Sequence, residues 1–130
     1  MATYGPIYTK TYPASGDLSS YQFHFLTAET DKQVALAGTG SVICGIQQND
    51  PSVEGQGTSV AYDGFSLLVV DGTAGGGIAV GDKLSADATG HGVVTTTDLD
   101  DYGAVAQEAS TAAGDLIRVL VTPNGLISAS

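Results

Sequence analysis

Short apolar runs separated by glycine constrain this chain more than any other feature. Eighteen of the 130 residues are Gly, and between them lie runs such as 41–47 (SVICGIQ), 65–70 (FSLLVV) and 116–122 (LIRVLVT). None is long enough for an ordinary globular helix. Frequent Gly weakens helices, but it suits strands by supplying positive φ at the turns between them. The pattern predicts an all-β fold, a single small β-barrel or β-sandwich-like domain. The length fits one domain. With 42% of residues hydrophobic, mostly Ala, Val, Leu and Ile, there is material for a real core.

Along the chain, residues 1–17 read as an extended N-terminal arm and residues 18–130 as a β-rich body. Pro6, Pro13 and Gly16 oppose a helix in the arm, and its Thr and Tyr residues favour extended backbone. Residues 19–28 alternate, with Tyr21, Phe23 and Phe25 on one face and Gln22 and His24 on the other. That spacing predicts a half-buried strand with His24 on its exposed side. Further strands are expected at 34–37, 41–47, 78–84, 103–108 and 116–122, the last with Ile117, Val119 and Val121 inward and Arg118 outward. Asp63-Gly64 between two apolar runs predicts a type I′ hairpin, and Pro123-Asn124-Gly125 a final turn. Residues 97–102 are the one place for a short helical turn, capped by Thr97 or Asp98. Gly81-Asp82 and Gly114-Asp115 each precede an apolar strand, as turn punctuation rather than a ligand motif.

Charge excludes several functions. Fourteen acids against Lys10, Lys32, Lys83 and Arg118 give a formal net charge of −10. Nucleic-acid affinity rests on Lys and Arg displacing counterions, so direct DNA or RNA binding is disfavoured, as is attraction to an anionic membrane. No run approaches the length of a membrane span. The first residues lack the basic-then-apolar pattern of a secretion signal, which suggests a chain made and kept in a cytoplasm. Cys44 is the lone cysteine, so no internal disulfide exists, and its apolar setting reads as a small buried hydrophobe.

No catalytic or cofactor pattern emerges. Gly38-Thr39-Gly40-Ser41 has the wrong spacing for a nucleophile elbow. His24 and His91 lie far apart in the sequence, and one Cys with two scattered His is no zinc signature. Asp98-Leu99-Asp100-Asp101 lacks the Gly and Glu of a calcium loop, and reads as a solvated acidic turn. The glycines of 72–81 (GTAGGGIAVG) have neither the following Lys-Ser/Thr nor the following helix of a phosphate cradle. The expectation is a protein that is not an enzyme, with no cofactor and no metal.

The stretch 8–25 (YTKTYPASGDLSSYQFHF) resembles the N-terminus of tailed-phage capsid decoration, or cement, proteins. The body resembles them at 45–51 (GIQQNDP), 80–84 (VGDKL) with 87–90 (DATG), and 113–117 (AGDLI). It departs from the family pattern at residues 75–77 and 52–57. The resemblance implies a compact β-rich, head-stabilising virion protein. Such a protein is made in the host cytoplasm, sits on the outer surface of the expanded phage capsid and braces it against internal DNA pressure. It implies two partners: the major capsid protein, met by the arm, and further copies of the chain in a homo-oligomer, a homotrimer or else a dimer.

The arm's own residues agree with a docking role. Tyr4, Tyr8 and Tyr12 recur every four positions, which in an extended chain places them on one face as aromatic anchors. Lys10 is the arm's only cation, suited to a carboxylate on the partner, and Pro13 stiffens its end. Tyr4, Tyr8, Lys10, Tyr12 and Pro13 are therefore the candidate capsid contacts. Such an arm is also suited to joining a partner's sheet as an added strand. The competing reading is a displayed receptor- or glycan-binding β module, for which Tyr62, Phe65 and Tyr102 are the aromatic candidates.

Overall fold

A computed structural model describes residues 7–29, 32–73, 76–95 and 101–126. Nine strands form one hydrogen-bonded system: β1 (Ile7–Pro13), β2 (Phe25–Ala28), β3 (Val34–Leu36), β4 (Gly45–Gln47), β5 (Gly57–Asp71), β6 (Lys83–Ala86), β7 (Gly92–Val94), β8 (Asp101–Ala106) and β9 (Ala113–Leu126). The fold is all-β. Residues 96–100, which carry most of the expected helical turn, lie outside the described residues, and Asp101 and Tyr102 already belong to β8.

Five strands close on themselves. β5 pairs β7, β7 pairs β6, β6 pairs β8, β8 pairs β9, and β9 returns antiparallel to β5. Closure removes the open edges that make small sheets liable to aggregate. Alternation fills the barrel: Leu68 and Val70 of β5, Leu84 and Ala86 of β6, Ala104 and Ala106 of β8, and Ile117, Val119 and Val121 of β9 belong to one buried cluster. Ala at two β8 positions leaves room for the larger side chains opposite, as a small barrel needs. A second, smaller cluster of Ala14, Leu18, Leu26, Val34 and Val60 lies where β1, β2 and β3 cover the first half of β5.

β5 serves both clusters. Adjacent residues Val60 and Ala61 point to opposite faces, Val60 into the smaller core and Ala61 into the larger. Farther along, even-numbered Leu68 and Val70 face the larger core, so the strand's alternation has shifted by one residue between 61 and 68. The shift occurs at a bulge. The register against β1 jumps from Tyr8↔Asp63 to Thr9↔Ala61, leaving Tyr62 without an opposite residue.

The expected Asp63-Gly64 hairpin therefore does not form. A type I′ turn needs positive φ at both central residues, and only Gly64 has it, at 94°. Asp63 Oδ1 accepts the Gly64 N–H at 2.8 Å, and the chain continues forward as one 15-residue strand. A similar correction applies at Pro123-Asn124-Gly125, where β9 runs on to Leu126 with a register irregularity against β8. The expected strand over 19–28 begins only at Phe25. Phe23 adopts a left-handed φ of 63°, which breaks the alternation and turns the chain.

Small polar clasps hold the turns. Asp17 Oδ1 accepts the Ser19 N–H and hydroxyl, Asp71 Oδ1 those of Thr73, and Asp87 Oδ1 those of Thr89. These bonds favour the ionised form and hold the Asp17 and Asp71 carboxyls below the ordinary value. Of the two Gly-Asp pairs, Gly81-Asp82 precedes its strand as the sequence suggests, whereas Gly114-Asp115 lies inside β9, with Gly114 bulged between Val70↔Asp115 and Asp71↔Ala113. Gly81 and Gly114 have positive φ, Asp82 accepts the Ala79 N–H, and Asp115 accepts the Ser110 hydroxyl.

Candidate functional site

β1 pairs with β5 from Ile7↔Gly64 to Pro13↔Gly57, and among the described residues it pairs with no other strand. It contributes little to the core: six of its seven residues are exposed. Beyond it the chain is pinned. The Ala14 N–H bonds Gln56 O, the Ser15 N–H bonds Val34 O, and Ala14 is fully buried.

The structure places the candidate contacts unequally. Tyr4 lies outside the described residues. Tyr8 is 54% exposed, with Ile7 beside it also open to solvent. Lys10 Nζ stands 5.4 Å from the centre of the Tyr62 ring, a cation–π distance. Tyr12 packs against the smaller core, so its ring serves the fold, and Pro13 is exposed at the strand's end. Of the candidates, Tyr8, Lys10 and Pro13 are thus exposed, as are their β1 neighbours Ile7, Thr9 and Thr11. Of the three aromatics considered for a ligand site, Tyr62 stands by Lys10, Tyr102 by Lys83 at 5.7 Å, and Phe65 opposite Leu120.

A second surface lies on the barrel wall. Cross-strand partners share a face, so Val105, Leu120 and Phe65 form one outward row, and Leu116 and Val69 an adjacent pair. Leu116 is 47% exposed. Between them stands Leu67 opposite Arg118, whose guanidinium lies 3.7 Å from Glu108. An exposed pair of that kind contributes little stability, but it leaves this wall nearly neutral on a strongly acidic molecule.

Sequence reasoning missed one cluster. His24 and His91 meet with ring centres 4.9 Å apart, and Tyr21 packs edge-on against His24 at 5.4 Å. His24 is buried rather than on an exposed strand face, because the Phe23 turn swings it inward. Burial holds the His24 imidazole below its ordinary value. His91 is oriented by its turn: its N–H donates to Asp87 Oδ1, and Nδ1 lies 2.7 Å from Thr89 Oγ1 and 3.2 Å from Asp87 Oδ2. The only sequence signal was Asp87-Ala88-Thr89-Gly90 preceding His91, a turn that fixes the ring but not its neighbour.

Cys44 is half-buried against the smaller core, and burial pushes its thiol up to about 11. The thiolate, the reactive form, is scarce at neutral pH. Among the described residues no three His, Cys, Asp or Glu side chains gather as a metal site, and no helix is long and apolar enough to cross a membrane.

A family model described as phage cement protein matches residues 5–122. The chain also shares its fold with the crystal structure of the head fiber gp8.5 N base of bacteriophage phi29. The TM-score is 0.66 at 18% identity, over 93% of this chain and 98% of that one. No curated protein matches the chain.

Proposed function

Because the chain belongs to the phage cement protein family, we propose that it decorates the outer surface of the expanded phage head and stabilises it against internal DNA pressure. The major capsid protein is its partner, met by the N-terminal strand. The observation that carries this reading is the character of β1: a strand fixed to the barrel through β5, yet with almost all of its side chains left to solvent. Strands that only build a core bury one face; this one presents Tyr8, Lys10 and Pro13 instead. Tyr8 suits an interface anchor, being large, amphipathic and already ordered by its strand. The phi29 head fiber base, similar in fold, supports a head-associated role.

Copies of the chain associate with each other through the apolar wall of Val105, Leu120, Phe65, Leu116 and Val69, as a trimer in preference to a dimer. The near-neutral wall avoids the repulsion that other parts of a −10 chain would meet. Multiple arms on one oligomer raise effective concentration on a repeating lattice, so each contact need only be weak. The chemistry is structural rather than catalytic.

The test is sedimentation of expanded heads lacking this protein after incubation with purified chain. Saturable binding at a copy number fixed by the lattice is expected. Tyr8→Ala should weaken it about tenfold while leaving the fold intact, as loss of one interface aromatic does. Absence of binding to matched heads overturns the proposal.

A further inference from the structure

The segment before β2 is held in an unfavourable shape by its neighbours. Phe23 has a φ of 63°, a region that bulky L-residues avoid. It is pinned on both sides: its N–H donates to Gln47 O at 2.7 Å, and its carbonyl accepts the Val69 N–H at 2.8 Å. The next two residues complete the attachment, with the Gln47 N–H on His24 O at 3.0 Å and the Phe25 N–H on Gly90 O at 2.9 Å. The last bond ties this segment to the turn that carries His91. The two imidazoles therefore sit across a joint between separate parts of the chain, 4.9 Å apart.

Their protonation follows from their partners. His24 Nδ1 lies 3.1 Å from the Gln22 carbonyl, which only accepts, so the neutral ring carries its proton on Nδ1. His91 Nδ1 faces the Asp87 carboxylate and takes the same form. In each ring an added proton goes to Nε2. His91 has a carboxylate to balance its charge. Among the described residues His24 has none in hydrogen-bond contact, and it is 8% exposed. The groups acting on the pair are Tyr21 edge-on, Asp87 from the same turn as His91, and Asp71 of β5, which feels the His91 charge.

We propose that His24 and His91 form an acid-labile latch: neutral, the rings pack and hold residues 21–25 on the 87–91 turn; both protonated, they repel and release that segment. Release also relieves the Phe23 conformation. The direction follows from linkage. The folded His24 value lies below the ordinary 6.5, so the unfolded or released form binds more protons as pH falls past it. The latch is complete above 6.5 and is lost as pH falls through the depressed folded value. Burial, and then the like charge of a protonated His91, oppose a proton on His24.

Amide hydrogen exchange by mass spectrometry tests this, on the full chain at about pH 7.5 and about pH 5, corrected for intrinsic rates. Protection over 21–25 and 87–91 should fall about tenfold or more at the lower pH, while β9 stays protected. The double variant H24Q/H91Q should lose this pH dependence. Unchanged protection in the native chain, or the same acid response in the double variant, overturns the proposal. Should the double variant fold poorly, NMR titration of the imidazole Cε1–H signals in the native chain decides. A His24 midpoint below 6.5, with the residue 21–25 signals shifting at that same midpoint, supports the latch; a His24 midpoint at the ordinary value, or one that leaves those signals unmoved, refutes it.

Discussion

At the scale of single residues, close backbone approach and buried amides do the fastening. Gly45 of β4 lies against β5 so closely that a Cβ there would fall on the Ala61 carbonyl oxygen and 2.6 Å from Val60 Cγ1. These are backbone and β-branched atoms in two cores, and neither yields cheaply. Gly45→Ala should lower unfolding stability by about 2–4 kcal/mol, read from the urea midpoint. Gln47, two positions on, is fully buried and donates through Nε2 to Leu18 O at 2.8 Å and Asn49 O at 2.7 Å. It stitches the chain after β1 to the chain after β4, work that the pattern SVICGIQ gives no hint of. His24 teaches the same lesson: its neighbours are set by a left-handed Phe23, a conformation that no propensity assigns to Phe.

At the scale of elements, legibility depended on how local the cause was. β9 was readable because one strand's alternation suffices: Ile117, Val119 and Val121 are buried and Arg118 faces outward. The Gly81-Asp82 turn was readable because its bond closes within a few residues. The path through Asp63-Gly64 was not, because whether that pair turns or bulges is decided by β1 on one side and β9 on the other. Of the candidate contacts, exposed Tyr8 and core-packed Tyr12 looked alike in sequence, since only the smaller core separates them. β1 also sets how its role should be tested. Deleting residues 1–16 removes the strand and buried Ala14, and uncovers the first half of β5. The truncated chain should lose about 2–4 kcal/mol and show larger species on size exclusion, since an uncovered edge invites pairing. A point change at Tyr8 separates docking from folding where the truncation confounds them.

At the scale of the whole molecule, β5 makes two cores one unit. Its first half carries β1 and β4, its second half β9, and the bulge between them sets which side chains face which core. Neither core can melt while the other keeps that strand straight, so unfolding should be a single transition. The shared strand also governs where the chain can carry a foreign peptide. Asp63-Gly64 looks in sequence like a natural splice point, but an insert there would part the two cores. Thr39-Gly40 is a true tip: exposed, with the Ser41 N–H on Gly38 O at 3.0 Å closing the turn and open space around Gly40. A roughly ten-residue polar graft between Thr39 and Gly40 should leave the melting temperature within a few degrees, because lengthening a surface loop costs little entropy. The same graft between Asp63 and Gly64 should abolish cooperative melting, and differential scanning calorimetry on the two grafted proteins distinguishes them. The usable splice points of this protein are thus fixed by which strand two cores share, and a dipeptide's turn preference is a poor guide to them.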